Sequence, residues 1–113
     1  MIFDMKLNSN AMNNIKSGSK KFELRVFDDK RSLLNIGDSI IFHNLGDFDD
    51  IISVKIIGLL KYPSFKDFFN DIDFKICGVA PTIDEKINRL HNYYSVDEEL
   101  EYGIIGIKFE LID

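Results

Sequence analysis

Residues 2–7 alternate in character, with Phe3, Met5 and Leu7 on one side and Asp4 and Lys6 on the other. That two-residue period predicts a half-buried strand. The period then lengthens. Asn8 or Ser9 stands where a helix cap belongs, and Ala11, Met12 and Ile15 follow at helical spacing. Gly18 is placed to end this helix in a left-handed conformation. A strand over roughly 20–27 comes next, then a polar connection from Asp28 to Asn35 and a turn at Ile36-Gly37-Asp38. Strands are expected at about 39–44 and 51–61, joined by a hairpin loop from Leu45 to Asp50.

Helical signals dominate after the long strand. Ser64 with Asp67, Thr82 with Glu85, and Ser95 with Glu98 each set a hydroxyl three residues before a carboxylate. This is the spacing at which a helix cap and the third helical residue satisfy free backbone N–H groups. The first of these helices is expected to bury Phe65, Phe68 and Phe69. The second carries Ile83, Ile87, Leu90, His91 and Tyr94 on one stripe, and the third stops at Gly103. His91 reads as a packed histidine, and Tyr93, Tyr94 and Tyr102 as core or helix-packing residues. A last strand, about 104–111, alternates Ile105, Ile107, Phe109 and Leu111 with Gly106, Lys108 and Glu110. The order strand, helix, three strands, helices, strand predicts an α+β fold. Its mixed or antiparallel sheet curls into a small β-barrel with flanking helices.

Length and composition narrow the class. One domain, 1–113, is expected, large enough to bury a core without staples. The lone Cys77 leaves no internal disulfide. With only His43 and His91 as distant companions it offers no zinc spacing, and no metal or cofactor is expected. The absence of a signal-like start and of an apolar run near twenty residues points to the cytoplasm and away from membranes. A net charge of −5 argues against indiscriminate binding to nucleic acid. The charge is uneven, however: residues 16–31 carry six basic and three acidic side chains, so the rest of the chain is strongly acidic. A basic island can attract a phosphate locally, or it can be a solvated run of charge.

Inside that island lies Gly18-Ser19-Lys20-Lys21-Phe22-Glu23-Leu24-Arg25, of the form G-x-K-x-x-E-x-R. Strand alternation puts Glu23 and Arg25 on one face and Phe22, Leu24 and Val26 on the other, where a core would take them. Arg25 offers a fork of donors suited to a phosphate or a base edge. Glu23 can accept from an exocyclic amine or orient Arg25. The alternative is a Glu–Arg pair that only fixes strand geometry. Lys20 alternates onto the wrong face unless the strand starts later and Lys20 sits in the turn.

From Met5 to Ile112 the chain resembles the ASCH domain, a member of the PUA-like superfamily. Met5-Lys6-Leu7, the octapeptide with its helix stop, Asp28-Asp29-Lys30-Arg31, Ile36-Gly37-Asp38, and Tyr102-Gly103-Ile104-Ile105-Gly106-Ile107 fall in the family's order. The resemblance implies a PUA-like barrel with a cleft beside the motif strand, and binding of RNA or a nucleotide. One branch of the family resembles small amidohydrolases acting on acylated cytidines, in which the motif lysine works with a threonine. Lys20 matches that lysine, but Glu23 stands at the threonine's place, so that nucleophile is missing. Lys21 also departs, standing where many relatives carry threonine.

Lys20, Glu23 and Arg25 are thus the central candidates. Lys30 and Arg31 could track a phosphate backbone, and Tyr62, ending the long strand before Pro63, could stack a base. His43 and Asn44 close a strand and could face a cleft. No serine or cysteine has a base beside it in sequence, as nucleophilic catalysis would require. The reading is a domain that binds RNA or a nucleoside or nucleotide. The alternatives are a small hydrolase, an amidohydrolase or a ribonuclease with Lys20 and Glu23 as acid and base, or a module for a protein partner.

Overall fold

A computed structural model describes residues 1–112. Its strands are β1 (Ile2–Leu7), β2 (Phe22–Val26), β3 (Ser39–Asn44), β4 (Asp47–Tyr62) and β5 (Ile104–Leu111). Its helices are α1 (Ser9–Lys16), α2 (Phe65–Asp71), α3 (Ile83–Leu90) and α4 (Val96–Tyr102). The strands make one five-stranded sheet in the order β1-β3-β4-β5-β2. Only β1 and β3 run parallel; the other neighbours are antiparallel. This is the α+β, PUA-like arrangement, a mixed sheet curled into a half-barrel with helices beside it.

The curl comes from β4. Its first half pairs with β3 and its second half with β5, and the register slips between Ile56 and Gly58. An extra residue on one strand bends and twists it. A single sixteen-residue strand can then serve two partners around a curve. It starts earlier than alternation suggests, because the hairpin turn is only Leu45-Gly46 and the expected loop 45–50 is mostly strand. The Asn44 side-chain oxygen accepts from the Gly46 N–H at 2.8 Å and holds that tight turn.

Each helix begins where the hydroxyl and amide spacing places it. Asn8 caps α1 by accepting from the Ala11 N–H, and Ser64, Thr82 and Ser95 do the same for α2, α3 and α4. Only Ser95 and Glu98 complete the reciprocal pair; the Asp67 carboxylate accepts from the Ser64 hydroxyl, and the Glu85 carboxylate from Arg89. Glu99 joins the helices together. Its buried carboxylate accepts from the Phe65 N–H at 2.7 Å and lies 2.7 Å from His91 Nε2.

Two apolar clusters lie on opposite faces of the sheet. Met5, Leu7, Ile40, Phe42, Ile105 and Ile107 pack on one face, joined by Met12 and Ile15 from α1. On the other, Phe22, Leu24, Val26 and Ile104 pack under Phe65, Phe68 and Phe69 of α2. Leu24 is therefore buried, but beneath the helices rather than with the barrel-lining residues. Glu23 and Arg25 stand opposite Ile107 and Ile105 and share the barrel-lining face. Tyr93 corrects another expectation: it lies past the end of α3 and is 74% exposed.

Gly106 pairs with Leu24 on the helix-covered face, where the Phe68 ring occupies the space a side chain would fill. Two substitutions probe this layer by urea denaturation. Leu24→Ala is expected to cost about 2–5 kcal/mol as a cavity. Gly106→Ala is expected to cost about 1–3 kcal/mol by displacing Phe68. A loss below about 1 kcal/mol in both would show that this face is not tightly packed.

Candidate functional site

α1 ends in a reversal that aims Lys20 inward. Gly18 takes a φ of 85°, open to glycine and strained for other residues. The chain folds back so that the Lys20 N–H donates to the Asn14 carbonyl at 2.9 Å and the Lys21 N–H to that of Ile76 at 2.7 Å. β2 begins only at Phe22, two residues later than the sequence pattern suggests. Lys20 thus escapes the alternation that would have turned it away from Glu23. Its ammonium donates to the Phe22 and Cys77 carbonyls at 2.8 and 3.0 Å and lies 3.3 Å from Glu23 Oε1.

Glu23 stands between two cations, Lys20 on one oxygen and Arg25 on the other at 2.8 Å. Burial works to raise its pKa, but the charges of Lys20 and Arg25 and their hydrogen bonds outweigh it and lower it to about 2. Burial likewise opposes the charge of Arg25, and Glu23, with Tyr94, more than restores it. Arg25 also reaches the Lys6 carbonyl of β1 at 3.4 Å. β1 and β2 are the two edges of the sheet, so this side chain spans the seam of the half-barrel.

The other sequence candidates lie elsewhere. Lys30 is exposed, and Arg31 is held by Asp28 through its backbone N–H and, at 2.9 Å, its guanidinium. Tyr62 donates its hydroxyl to Asp71 at 2.7 Å and packs edge-on against Phe68. Asn44 is buried in a network with Ser9, Gly46 and Asp50, while His43 pairs with Asp4. None of these lines the cleft that Lys20 borders.

That cleft, of about 540 Å³, opens between α1 and the segment from Cys77 through α3. Lys20, Lys86 and Arg89 supply three cationic side chains to its lining, which holds no carboxylate. Five asparagines join them: Asn8 at the cap of α1, Asn10, Asn13 and Asn14 on it, and Asn92 beyond α3. Tyr93 stands at the edge with its ring largely free.

Lys86 is half-buried in this lining. Burial lowers its pKa, and the like charge of Lys20 lowers it further. It forms no ion pair among the described residues, whereas Arg89 donates to the Val79 carbonyl and Glu85. Gly78, at φ 125°, leaves the space that Lys86 Nζ occupies, 2.9 Å from where a side chain would begin. Burial raises the Cys77 thiol to about 11, which keeps it protonated and unreactive near neutral pH. No cluster of three or more His, Cys, Asp or Glu side chains able to hold a metal occurs among the described residues. None of the described helices is long and apolar enough to cross a membrane.

A curled mixed sheet bearing a Lys-Glu-Arg cluster at its seam defines the class, a PUA-like fold built around the G-x-K-x-x-E-x-R strand. The model of the ASCH domain family matches residues 5–113, and the chain belongs to that family. It is similar to the hypothetical protein PH0355, at 32% identity over 99% of this chain and 100% of that one, with a TM-score of 0.86. It is also similar to protein PF0455 of Pyrococcus furiosus, at 28% identity over 100% and 99% of the two chains, with a TM-score of 0.79. An ASCH domain from Lactobacillus crispatus shares the fold at 14% identity, over 97% and 79% of the chains, with a TM-score of 0.70. No curated protein matches the sequence.

Two measurements test the charge cluster. Glu23→Gln leaves Lys20 and Arg25 buried without their counter-charge and is expected to cost about 3–5 kcal/mol in urea denaturation. The acid limb of the stability curve carries the second test. The folded pKa of Glu23 lies below its unfolded value of 4.5, at about 2, so its contribution is complete above the unfolded value. It is lost as pH falls from 4.5 through about 2 and amounts to about 3 kcal/mol. A Glu23→Gln protein whose stability falls as steeply in that window as the parent's would show that Glu23 is not the group responsible.

Proposed function

We propose that this domain binds RNA or a nucleotide in the cleft between α1 and α3. The observation that carries this reading is the charge of the lining: it holds no carboxylate, and of its three cations Lys86 has no ion pair among the described residues, in a chain of net charge −5. Such a local excess attracts phosphate without making the whole surface adhesive to nucleic acid. The volume falls in the range of small-molecule sites. Exposed Tyr93 offers a ring on which a base can stack.

Binding is favoured over hydrolysis by the state of Lys20 and Glu23. The Lys20 ammonium already has three acceptors around it, and both Glu23 oxygens face cations. A general base needs a free lone pair directed at substrate. In this reading Lys20, Glu23 and Arg25 hold the cleft's shape and positive potential, while Lys86 and Arg89 meet the ligand. Lys30, Arg31 and Tyr62 lie outside the contact.

Fluorescence anisotropy with a labelled single-stranded RNA, titrated across salt concentrations, tests the proposal. Lys86→Ala is expected to weaken binding about tenfold and to reduce the salt slope by about 0.7, the loss of one phosphate contact. Lys30→Ala is expected to leave both unchanged. No binding at low salt, or equal effects of the two substitutions, would refute the reading.

A further inference from the structure

The walls of this cleft differ in chemistry. α1 contributes Asn10, Asn13 and Asn14, spaced three and four residues apart and therefore on one helix face. Asparagine is a poor helix former, so three in an eight-residue helix carry a small local cost. Hydrogen bonds around α1 engage the Asn8 side chain and the Asn13 and Asn14 backbone carbonyls. Those bonds leave the amides of Asn10, Asn13 and Asn14 unpaired among the described residues. Each amide offers two N–H donors and a carbonyl acceptor. Neighbouring donor and acceptor atoms are what a nucleobase edge presents, and Asn pairs with adenine in this bidentate way.

The wall from α3 is different. Lys86 presents an ammonium without an ion-pair partner among the described residues, in space that Gly78 keeps clear, and Arg89 adds a second positive charge. An ammonium is a point charge suited to phosphate.

We propose that the cleft takes one nucleotide unit in a fixed direction, with its base against the amide face of α1 and its phosphate against Lys86 of α3. This rests on the nucleotide-binding reading above and goes beyond it by assigning each wall its half of the ligand. Base recognition then belongs to α1 and phosphate recognition to α3, so the two can be removed separately.

Calorimetric titration with AMP, adenosine, inorganic phosphate and a hexameric oligoadenylate tests the direction. AMP is expected to bind about tenfold more tightly than adenosine. Lys86→Gln should abolish that difference, and Lys86→Arg should retain most of it. Asn13→Ala with Asn14→Ala should weaken AMP and adenosine together, by about tenfold, and leave their ratio intact. Unchanged urea midpoints would show that the variants remain folded. The direction is wrong if Lys86→Gln leaves the AMP-to-adenosine ratio unchanged, or if the asparagine pair alters that ratio while sparing adenosine. Hexamer binding with equal AMP and adenosine affinities would overturn the direction and leave the nucleotide reading standing. Failure of all four probes to bind would overturn both.

Discussion

Glu23 meets Lys20 with one oxygen and Arg25 with the other, in a place largely closed to water. Desolvating three charges is expensive, and a buried cluster of this kind gains little over apolar residues of the same size. Its consequence is geometric. Lys20 ties the turn after α1 to the carbonyls of Phe22 and Cys77. Arg25 ties β2 to the Lys6 carbonyl of β1 across the seam. One carboxylate therefore sets the relation between the two sheet edges, the end of α1 and the segment leading to α3. Those elements frame the cleft, so its shape depends on a side chain that does not line it.

The cluster also has a surplus. Two cations share one anion, and Lys86 adds its charge nearby without a counter-ion of its own among the described residues. Burial and mutual repulsion both disfavour that arrangement. On the proposed reading, an incoming anion would relieve it. The acidic balance of the chain as a whole keeps this potential local.

Much of the fold was legible because it rests on short-range rules. Alternation located β1, β3 and β5, and hydroxyl-to-carboxylate spacing located the starts of α2, α3 and α4. The family resemblance rested on the motif strand and its flanking turns. The site was only half legible. Lys20, Glu23 and Arg25 were visible as a motif, but strict alternation misdirected Lys20, because the Gly18 reversal delays β2 by two residues. Lys86 and Arg89 were hidden for another reason. They sit in the acidic part of the chain, where summed charge conceals a local basic wall, and only tertiary packing sets them opposite α1. No short-range pattern in the sequence marks that juxtaposition.

The sheet order carries a consequence for how the chain acquires its shape. β2 pairs only with β5, so Phe22 must wait for Lys108 from the far end of the chain. Until β5 arrives, the strand bearing Glu23 and Arg25 has no neighbour in the sheet to lie against. Closing so long a loop is slow relative to local pairings such as the β3–β4 hairpin. The β1–β3–β4 part of the sheet needs no partner beyond Tyr62, whereas the motif strand needs one about eighty residues away. The segment most distinctive in the sequence is therefore the one held by the most sequence-distant pairing of the sheet.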